Sequence, residues 1–311
     1  MVVKELKVDF SARRKTNYIV QGGVNVNILD KKIDFVVFFT VKNANPNGDP
    51  LMGNMPRTDY DGYGEVSDVC IKRKIRNRMQ DFSYDIFVQS DDRINDGHKS
   101  LESRFKSQFS EADSDEDVAK KACELWLDVR SFGQVMTFQG RSLGIRGPVS
   151  ISIAKSLSPV DVVTMQITRS TNGMEAEVGK TKSRDRMGDK HYIEFGIYKF
   201  TGSINCYFAE KTGFTYSDAD IIKEALCTLF VNDMSSARPE GSMEVKKVYW
   251  FTHPNKLGTA SSANIHRLIK DRMKPGIQKA TSFEDYEIEI DEQRYNNYKE
   301  LGLTLEELEG V

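Results

Sequence analysis

Residues 31–50 read KKIDFVVFFTVKNANPNGDP. Within them, residues 33–41 are β-branched or aromatic except for Asp34. An uninterrupted run of this kind predicts a strand buried on both faces, at the centre of a sheet, rather than a half-solvated strand with alternating polarity. Residues 42–50 then change to Asn, Pro and Gly, which predicts a loop with special turn geometry at the strand's end.

Working outward, residues 67–82 predict a helix. Ser67 suits the N-cap, Asp68 the first turn, and Ile71, Ile75, Met79 and Phe82 form one apolar stripe. A polar, irregular region follows to about residue 112. A second helix is predicted over residues 114–129, with a Ser114/Asp117 capping box and a Val118, Ala122, Leu125, Val129 stripe. Residues 148–154 (PVSISIA) alternate as a short strand. Residues 168–190, rich in Gly, Lys and Arg, read as an extended insertion. Residues 192–208 read as a long strand or bent strand pair, with Tyr198, Phe200, Ile204, Cys206 and Phe208 on one parity. A third helix is predicted from Ser217, capped with Asp220 and burying Ile222, Leu226, Leu229 and Phe230. Residues 244–252 (EVKKVYWFT) form the last strand. The resulting order is β, α, insertion, β, insertion, β, α, β. It predicts an α+β, ferredoxin-like fold of one antiparallel sheet backed by two helices, an arrangement shared by many RNA-recognition modules.

A chain of 311 residues can bury one large core or two small ones, and 39% hydrophobic with 29% charged residues describes a globular protein with a charge-rich surface. The net charge of -2 conceals an asymmetry. Residues 281–311 hold ten acids against Arg294 and Lys299, a charge of -8, which leaves +6 on residues 1–280. A basic body suits a polyanionic partner, and a solvated surface with an acidic end explains the numbers equally well. Cys70, Cys123, Cys206 and Cys227 lack paired spacing, against a disulfide framework or a zinc knuckle. No apolar stretch is long enough to span a bilayer and the start lacks a signal-peptide core, so a reducing cytoplasm is expected. About the first 25 residues lack a core period, and residues 1–30 read as a non-native or disordered leader. Gly22-Gly23-Val24 reads as a translated ribosome-binding site ahead of GTG codons, with a native start at Val24 or Val26 and a non-native or disordered leader before it.

The strongest chemical signal is Lys72, Arg73, Lys74, Arg76 and Arg78 on the first predicted helix, with no acid among them. Cations this close repel unless an anion is near, which favours a phosphate-facing role over a solvated face. Arg57, Arg141, Arg146, Arg169, Lys180, Lys182, Arg184, Lys190 and Arg238 add bases in predicted loops. Asn43, Asn45 and Asn47 can donate amide protons to phosphate or base edges, although Asn, Pro and Gly at this place also simply make a turn. Residues 59–65 (DYDGYGE) fail the register of a calcium loop, and Asp59, Asp61, Glu65 and Asp68 read first as turn and cap residues. His191, between Lys190 and Tyr192, is a candidate for acid–base ribonuclease chemistry and equally for phosphate contact. P-loop, dinucleotide, nucleophile-elbow and HExxH motifs are missing, as is the aromatic stacking motif of ordinary RNA-recognition domains. No cofactor and no metal site are expected.

Residues 31–81 (KKIDFVVFFTVKNANPNGDPLMGNMPRTDYDGYGEVSDVCIKRKIRNRMQD) closely resemble the start of the Cas-seven backbone subunit of type I-C CRISPR surveillance (Cascade) complexes. DVRSFGQVMTF (128–138), SLGIRGPVSIS (142–152), DKHYIEFGIYKFTGSIN (189–205) and DMSSARPEGSM (233–243) extend the resemblance to about Arg267. The resemblance implies one hand-shaped domain over residues 31–270, with a palm, helical fingers at about 82–147 and a β-hairpin thumb at about 155–191. Residues 271–311 remain an acidic C-terminal segment. It implies head-to-tail copies along one guide RNA (crRNA), a target DNA strand paired through that guide, Cas-five and Cas-eight type partner subunits, and no catalysis. The RNA contacts implied are Asn43, Asn45, Asn47, Arg57, Lys72, Arg73, Arg76, Phe132, Gln134, Arg141, Arg146, Arg169, Lys182, Arg184, His191 and Arg238. Two rivals stand beside this reading. One is a metal-dependent endoribonuclease using Asp49, Asp59 or Asp61; the other is a scaffold that binds only proteins.

Overall fold

The computed structural model describes residues 27–168 and 187–311. Strand β1 (Ile33–Ala44) leads into a small hairpin of β2 (Gly48–Asp49) and β3 (Met55–Pro56), then β4 (Tyr63–Val66) and helix α1 (Asp68–Asp81). Helices α2 (Leu101–Lys106), α3 (Asp115–Leu125) and α4 (Leu127–Phe132) precede the hairpin β5 (Gly133–Met136) and β6 (Leu143–Arg146). Next come β7 (Val149–Ile151), β8 (Ala154–Pro159), β9 (Val162–Thr168) and the long β10 (Met187–Ile204). Helices α5 (Cys206–Thr212) and α6 (Tyr216–Cys227) lead to β11 (Met243–Thr252). The chain ends with α7 (Ser262–His266), β12 (Ile269–Met273), β13 (Tyr286–Ile290), α8 (Glu292–Glu300) and β14 (Thr304–Glu309).

The main sheet runs β14-β11-β1-β10-β8-β4, with β7 and β9 also pairing to β10. All its pairings are antiparallel. β1 is central, as the unbroken apolar run predicts, and feeds a core on each face. Phe35, Val37, Phe39 and Val41 pack with Ile71, Ile75 and Met79 of α1 and with Ile222, Ala225 and Leu226 of α6. Val36 and Phe38 point the other way, into a cluster with Tyr249, Phe251, Ile265, Leu268 and Tyr286. The acid inside that run, Asp34, is fully buried and meets His253 Nε2 at 2.8 Å and Lys32 Nζ at 3.2 Å.

A third core lies where the sequence looked polar and irregular. Phe87, Phe105 and Phe109 join Val118, Ala122, Trp126, Val129 and Met136. The predicted stripe supplies Val118, Ala122 and Val129 to it, while the widely spaced aromatics, which have neither helical nor strand period, escape a reading by periodicity. The helix predicted over 114–129 is broken. Trp126 takes extended backbone (φ -119, ψ 116) to reach this cluster, which rotates the stripe and leaves Leu125 36% exposed. Residues 148–154 split between β7 and β8, and the predicted strand over 192–208 turns into α5 after Ile204 because Asn205 caps that helix. The third helix starts at Tyr216, with Thr215 and Asp218 forming the reciprocal capping box two residues before the predicted Ser217 and Asp220 pair.

Both ends of the described chain are tied in. Leu29 is fully buried and its N–H donates to the Phe214 carbonyl at 3.0 Å, so residues 27–30 belong to the packed body. The acidic C-terminal stretch supplies β14, which extends the sheet beside β11. There Glu307 meets Lys247 Nζ at 2.9 Å and Glu306 meets Lys223 Nζ at 2.9 Å. Part of the charge asymmetry is therefore neutralised within the fold, by Lys247 of β11 and Lys223 of α6.

Candidate nucleic-acid interface

The α1 helix starts where Ser67 Oγ accepts from Cys70 N at 3.2 Å, with Asp68 in the first turn. Its apolar stripe faces the sheet, so its five cations emerge on the flanks, and each meets an acceptor in the same chain. Lys72 Nζ lies 3.0 Å from Asp68. Arg73 donates to the Val88 carbonyl at 2.9 Å. Lys74 forms an ion pair with Asp233. Arg76 Nε reaches Asp128 at 2.8 Å while its guanidinium lies over the Phe132 ring at 5.0 Å. Arg78 bridges Asp81 at 2.6 Å and Thr228 Oγ1 at 3.0 Å.

The anions that offset this helix are thus largely the protein's own. Two of them, Asp128 and Asp233, come from far along the chain, and local sequence spacing cannot reveal them. Asp128 is fully buried and also accepts from Phe87 N at 2.7 Å and Val88 N at 3.1 Å, so it clamps the third core to α1. Burial lowers the proton affinity of the Lys74 amine, and Asp233 opposes that fall.

A different group of predicted residues converges at the end of β1. Asn43 adopts left-handed backbone (φ 52), which Asn tolerates better than most residues, and turns the chain out of the strand. Asn45 Nδ2 donates to the Asn54 carbonyl at 2.7 Å, and its backbone N–H donates to the Ala237 carbonyl at 2.9 Å. Asn47 Oδ1 accepts from Ser67 N at 2.9 Å, which ties the loop to the start of α1. Arg57 N donates to the Asn47 carbonyl at 3.1 Å, and Arg57 Nη1 lies 3.4 Å from Asp49. The loop 232–243 closes the cluster: Lys42 N donates to the Ser242 carbonyl at 2.8 Å, and Arg238 Nε lies 3.2 Å from Asp233.

Asn45 Oδ1 and Arg57 Nε are buried there without a hydrogen-bond partner among the described residues. Unpaired buried polar atoms are costly, so these two leave a donor and an acceptor in the cluster for a ligand or water; eight others are spread elsewhere among the described residues. Cys70 sits beneath it, its thiol toward the Pro46 carbonyl at 3.8 Å. Burial pushes that thiol up despite nearby Lys74, Arg238 and Arg57, against a reactive thiolate.

The remaining candidates lie elsewhere. Gln134 Nε2 donates to the neighbouring Val135 carbonyl at 3.0 Å. Arg141 is held by Asp115 at 2.8 Å and by the carbonyls of Ser110 and Glu111 at 2.9 and 3.0 Å. Arg146 lies over the Phe208 ring at 5.1 Å. His191 Nδ1 is 2.9 Å from Thr164 Oγ1 on the β9–β10 hairpin. Arg169, Lys182 and Arg184, with Lys180, lie outside the described residues.

The carboxylates of the endoribonuclease rival have local duties. Asp49 Oδ1 accepts from Leu51 N at 3.0 Å. Asp59 accepts from Asp61 N at 3.0 Å and Tyr63 N at 2.9 Å. Its hydrogen bond with Lys155 holds the Asp59 carboxyl below the usual range. Among the described residues, no group of three or more His, Cys, Asp or Glu side chains could hold a metal ion. Also among them, no helix is long and apolar enough to cross a membrane.

Comparison with known proteins adds a family. The model of "CRISPR-associated protein Cas7" matches residues 31–291, and the chain belongs to that family. A curated relative from Haloferax volcanii, also described as CRISPR-associated protein Cas7, is 26% identical over 231 residues, 68% of this chain and 67% of that protein. Two solved structures are more distantly similar. One, described as a CRISPR RNA-guided surveillance complex, pre-nicking, has a TM-score of 0.45 at 14% identity over 71% of this chain and 75% of that chain. The other, a CRISPR RNA-guided surveillance complex, has a TM-score of 0.43 at 15% identity over 86% and 82%.

Proposed function

We propose that this chain is a non-catalytic, crRNA-binding backbone subunit of a type I-C Cascade complex. The observation that carries this reading is the convergence, in a Cas7-family chain, of residues 43–49, Arg57 and Arg238 at one end of the sheet. Cationic and amide donors on loops with fixed backbones suit a phosphate backbone better than a single base. The palm is read as ferredoxin-like: β1, β7 with β8, β10 and β11 stand in the spatial order fourth, first, third, second, with α1 and α6 on one face. The third core and its helices are read as the fingers. The β9–β10 hairpin, with His191 on it, is read as the described part of the thumb.

In this role, copies stack head to tail along the guide, a heterologous contact that propagates until the RNA ends. The guide then presents its bases to a target DNA strand, and Cas-five and Cas-eight type subunits complete the assembly in the cytoplasm. Purification of the protein from its host, with sequencing of whatever RNA accompanies it, tests the reading. Repeat-flanked guide transcripts are the expected cargo. RNA incubated with the protein and Mg²⁺ or Mn²⁺ is expected to stay intact. Cleavage that disappears with Asp59→Ala or His191→Ala would instead establish the endoribonuclease.

A further inference from the structure

The Asp233 carboxylate carries a role that its charge does not suggest. Its Oδ2 receives two cations at once, Lys74 Nζ from α1 and Arg238 Nε, at 3.2 Å, from its own loop. The side chains form a gradient of exposure from the core outward, 3% for Lys74, 13% for Asp233 and 28% for Arg238. The inner end is rigid: Lys74 is fixed on α1 and its amine lies over the Phe230 ring at 5.4 Å. The loop is stitched by hydrogen bonds as well. Ser235 N donates to the Arg238 carbonyl at 2.8 Å, Arg238 N donates to the Ser235 carbonyl at 3.1 Å, and the stitches from Ser242 and Ala237 to β1 and Asn45 hold both flanks. Arg238 is thus fixed at its backbone and at Nε. Among the described residues no acceptor meets its terminal Nη1 and Nη2, which leaves that fork for a ligand.

We propose that Asp233 is a positioning residue for RNA: anchored to α1 through Lys74, it aims the Arg238 fork at a guide phosphate beside Arg57 and the Asn43–Asn47 turn. This rests on the RNA-binding reading above and deepens it. A pre-aimed fork loses less side-chain freedom on binding, and the planar guanidinium makes two parallel hydrogen bonds to phosphate oxygens only when its plane is set. The proposal reverses a sign. An acid near a polyanion should weaken binding, so on charge alone its neutralisation tightens the complex. As a positioning group, its neutralisation loosens the complex.

The test is the anisotropy of a labelled single-stranded RNA titrated with the full chain over a series of KCl concentrations. Asp233→Asn is expected to weaken binding about threefold to tenfold, the scale of one hydrogen-bond contribution. It is also expected to reduce the slope of log affinity against log salt by about 0.7, one phosphate for a single strand. Arg238→Gln should lower the slope equally, and the double variant should lose no more than Arg238→Gln alone. Asp220→Asn, a change at a 76% exposed acid on α6, should leave affinity and slope in place. Because Asn leaves the Lys74 amine without a counter-charge, Asp233→Glu is measured beside it. It keeps the charge but displaces the carboxylate, and it too should lower the slope while its melting temperature stays near that of the parent.

Binding by Asp233→Asn as tight as the parent, or tighter, overturns the positioning role while leaving the RNA-binding reading in place. So does a loss that adds fully to that of Arg238→Gln. A parent protein that shows no salt-dependent RNA binding overturns both.

Discussion

The cations of α1 and the cations of the loops teach opposite lessons about the same residue types. Five on the helix form the densest basic run in the chain, yet Lys74, Arg76 and Arg78 are almost fully buried and end on Asp233, Asp128 and Asp81. Arg57 and Arg238 are isolated in the sequence, yet they stand more exposed beside a loop held in left-handed and hydrogen-bonded turns. A run of bases reports charge density, whereas availability depends on which acids the fold brings alongside. The helix uses its cations to join elements; the loops are better placed to offer theirs.

The largest expected effect breaks the helix side of this comparison. Asp128→Ala leaves the Arg76 charge and the Phe87 and Val88 N–H groups without their acceptor, and should cost about 3–5 kcal/mol in urea unfolding. A cost below about 1 kcal/mol, the scale of a solvated pair, would mean that Arg76 is free to serve RNA after all. Phe105→Ala should be comparably severe, about 3–5 kcal/mol, because Phe105 is fully buried against Phe109 and Phe138. If that variant unfolds in a separate earlier transition, the third core is a subdomain with its own stability.

The loop side is sharpened by a gentler change. Arg57→Gln should lower the RNA salt slope by about 0.7 while leaving the melting temperature nearly unchanged. Replacement of Lys72, whose partner Asp68 is one turn back on the same half-buried face, should lower it less.

A pH titration gives a smaller and graded effect. At the opposite end of β1, burial works to raise the Asp34 carboxyl, but His253, Ser262, Lys32 and His266 together hold it below its usual range, while burial lowers the proton affinity of His266. Both folded states release protons more readily than the unfolded chain. The His266 contribution is complete above its ordinary value and fades as pH falls through the lowered one; that of Asp34 fades at still lower pH. Stability should therefore decline on acidification in two stages, and His266→Gln should remove the upper stage. A profile unchanged by that substitution would place the sensitivity elsewhere.

These contrasts also show what was legible in the residues alone. The run 33–41 announced a central strand because both faces are buried, and Ser67 with the Ile71, Ile75, Met79 stripe announced α1, since each signal is local. The core around Phe87, Phe105 and Trp126 was legible only in its helical stripe of Val118, Ala122 and Val129, because its aromatic members share no period and are assembled by tertiary packing. The capping box of α6 lies two residues before the Ser217 and Asp220 pair because Thr215 and Asp218 offer the same capping pattern. In the candidate site, Asn43, Asn45, Asn47, Arg57 and Arg238 were each visible as loop residues, but their convergence depends on backbone bonds between positions nearly two hundred apart, such as Asn45 to Ala237. Asp233 lay in a quoted motif, yet an acid is easily passed over when a polyanion is the expected ligand.

The most direct test of the account is ultraviolet crosslinking of the RNA that co-purifies with the protein, followed by identification of the crosslinked peptides. The account predicts crosslinks concentrated in residues 43–57 and 232–243, with none at the buried side of α1 carrying Lys74, Arg76 and Arg78. Crosslinks confined to the buried flank of α1 or to the acidic C-terminal strand, with the two loops untouched, would contradict it.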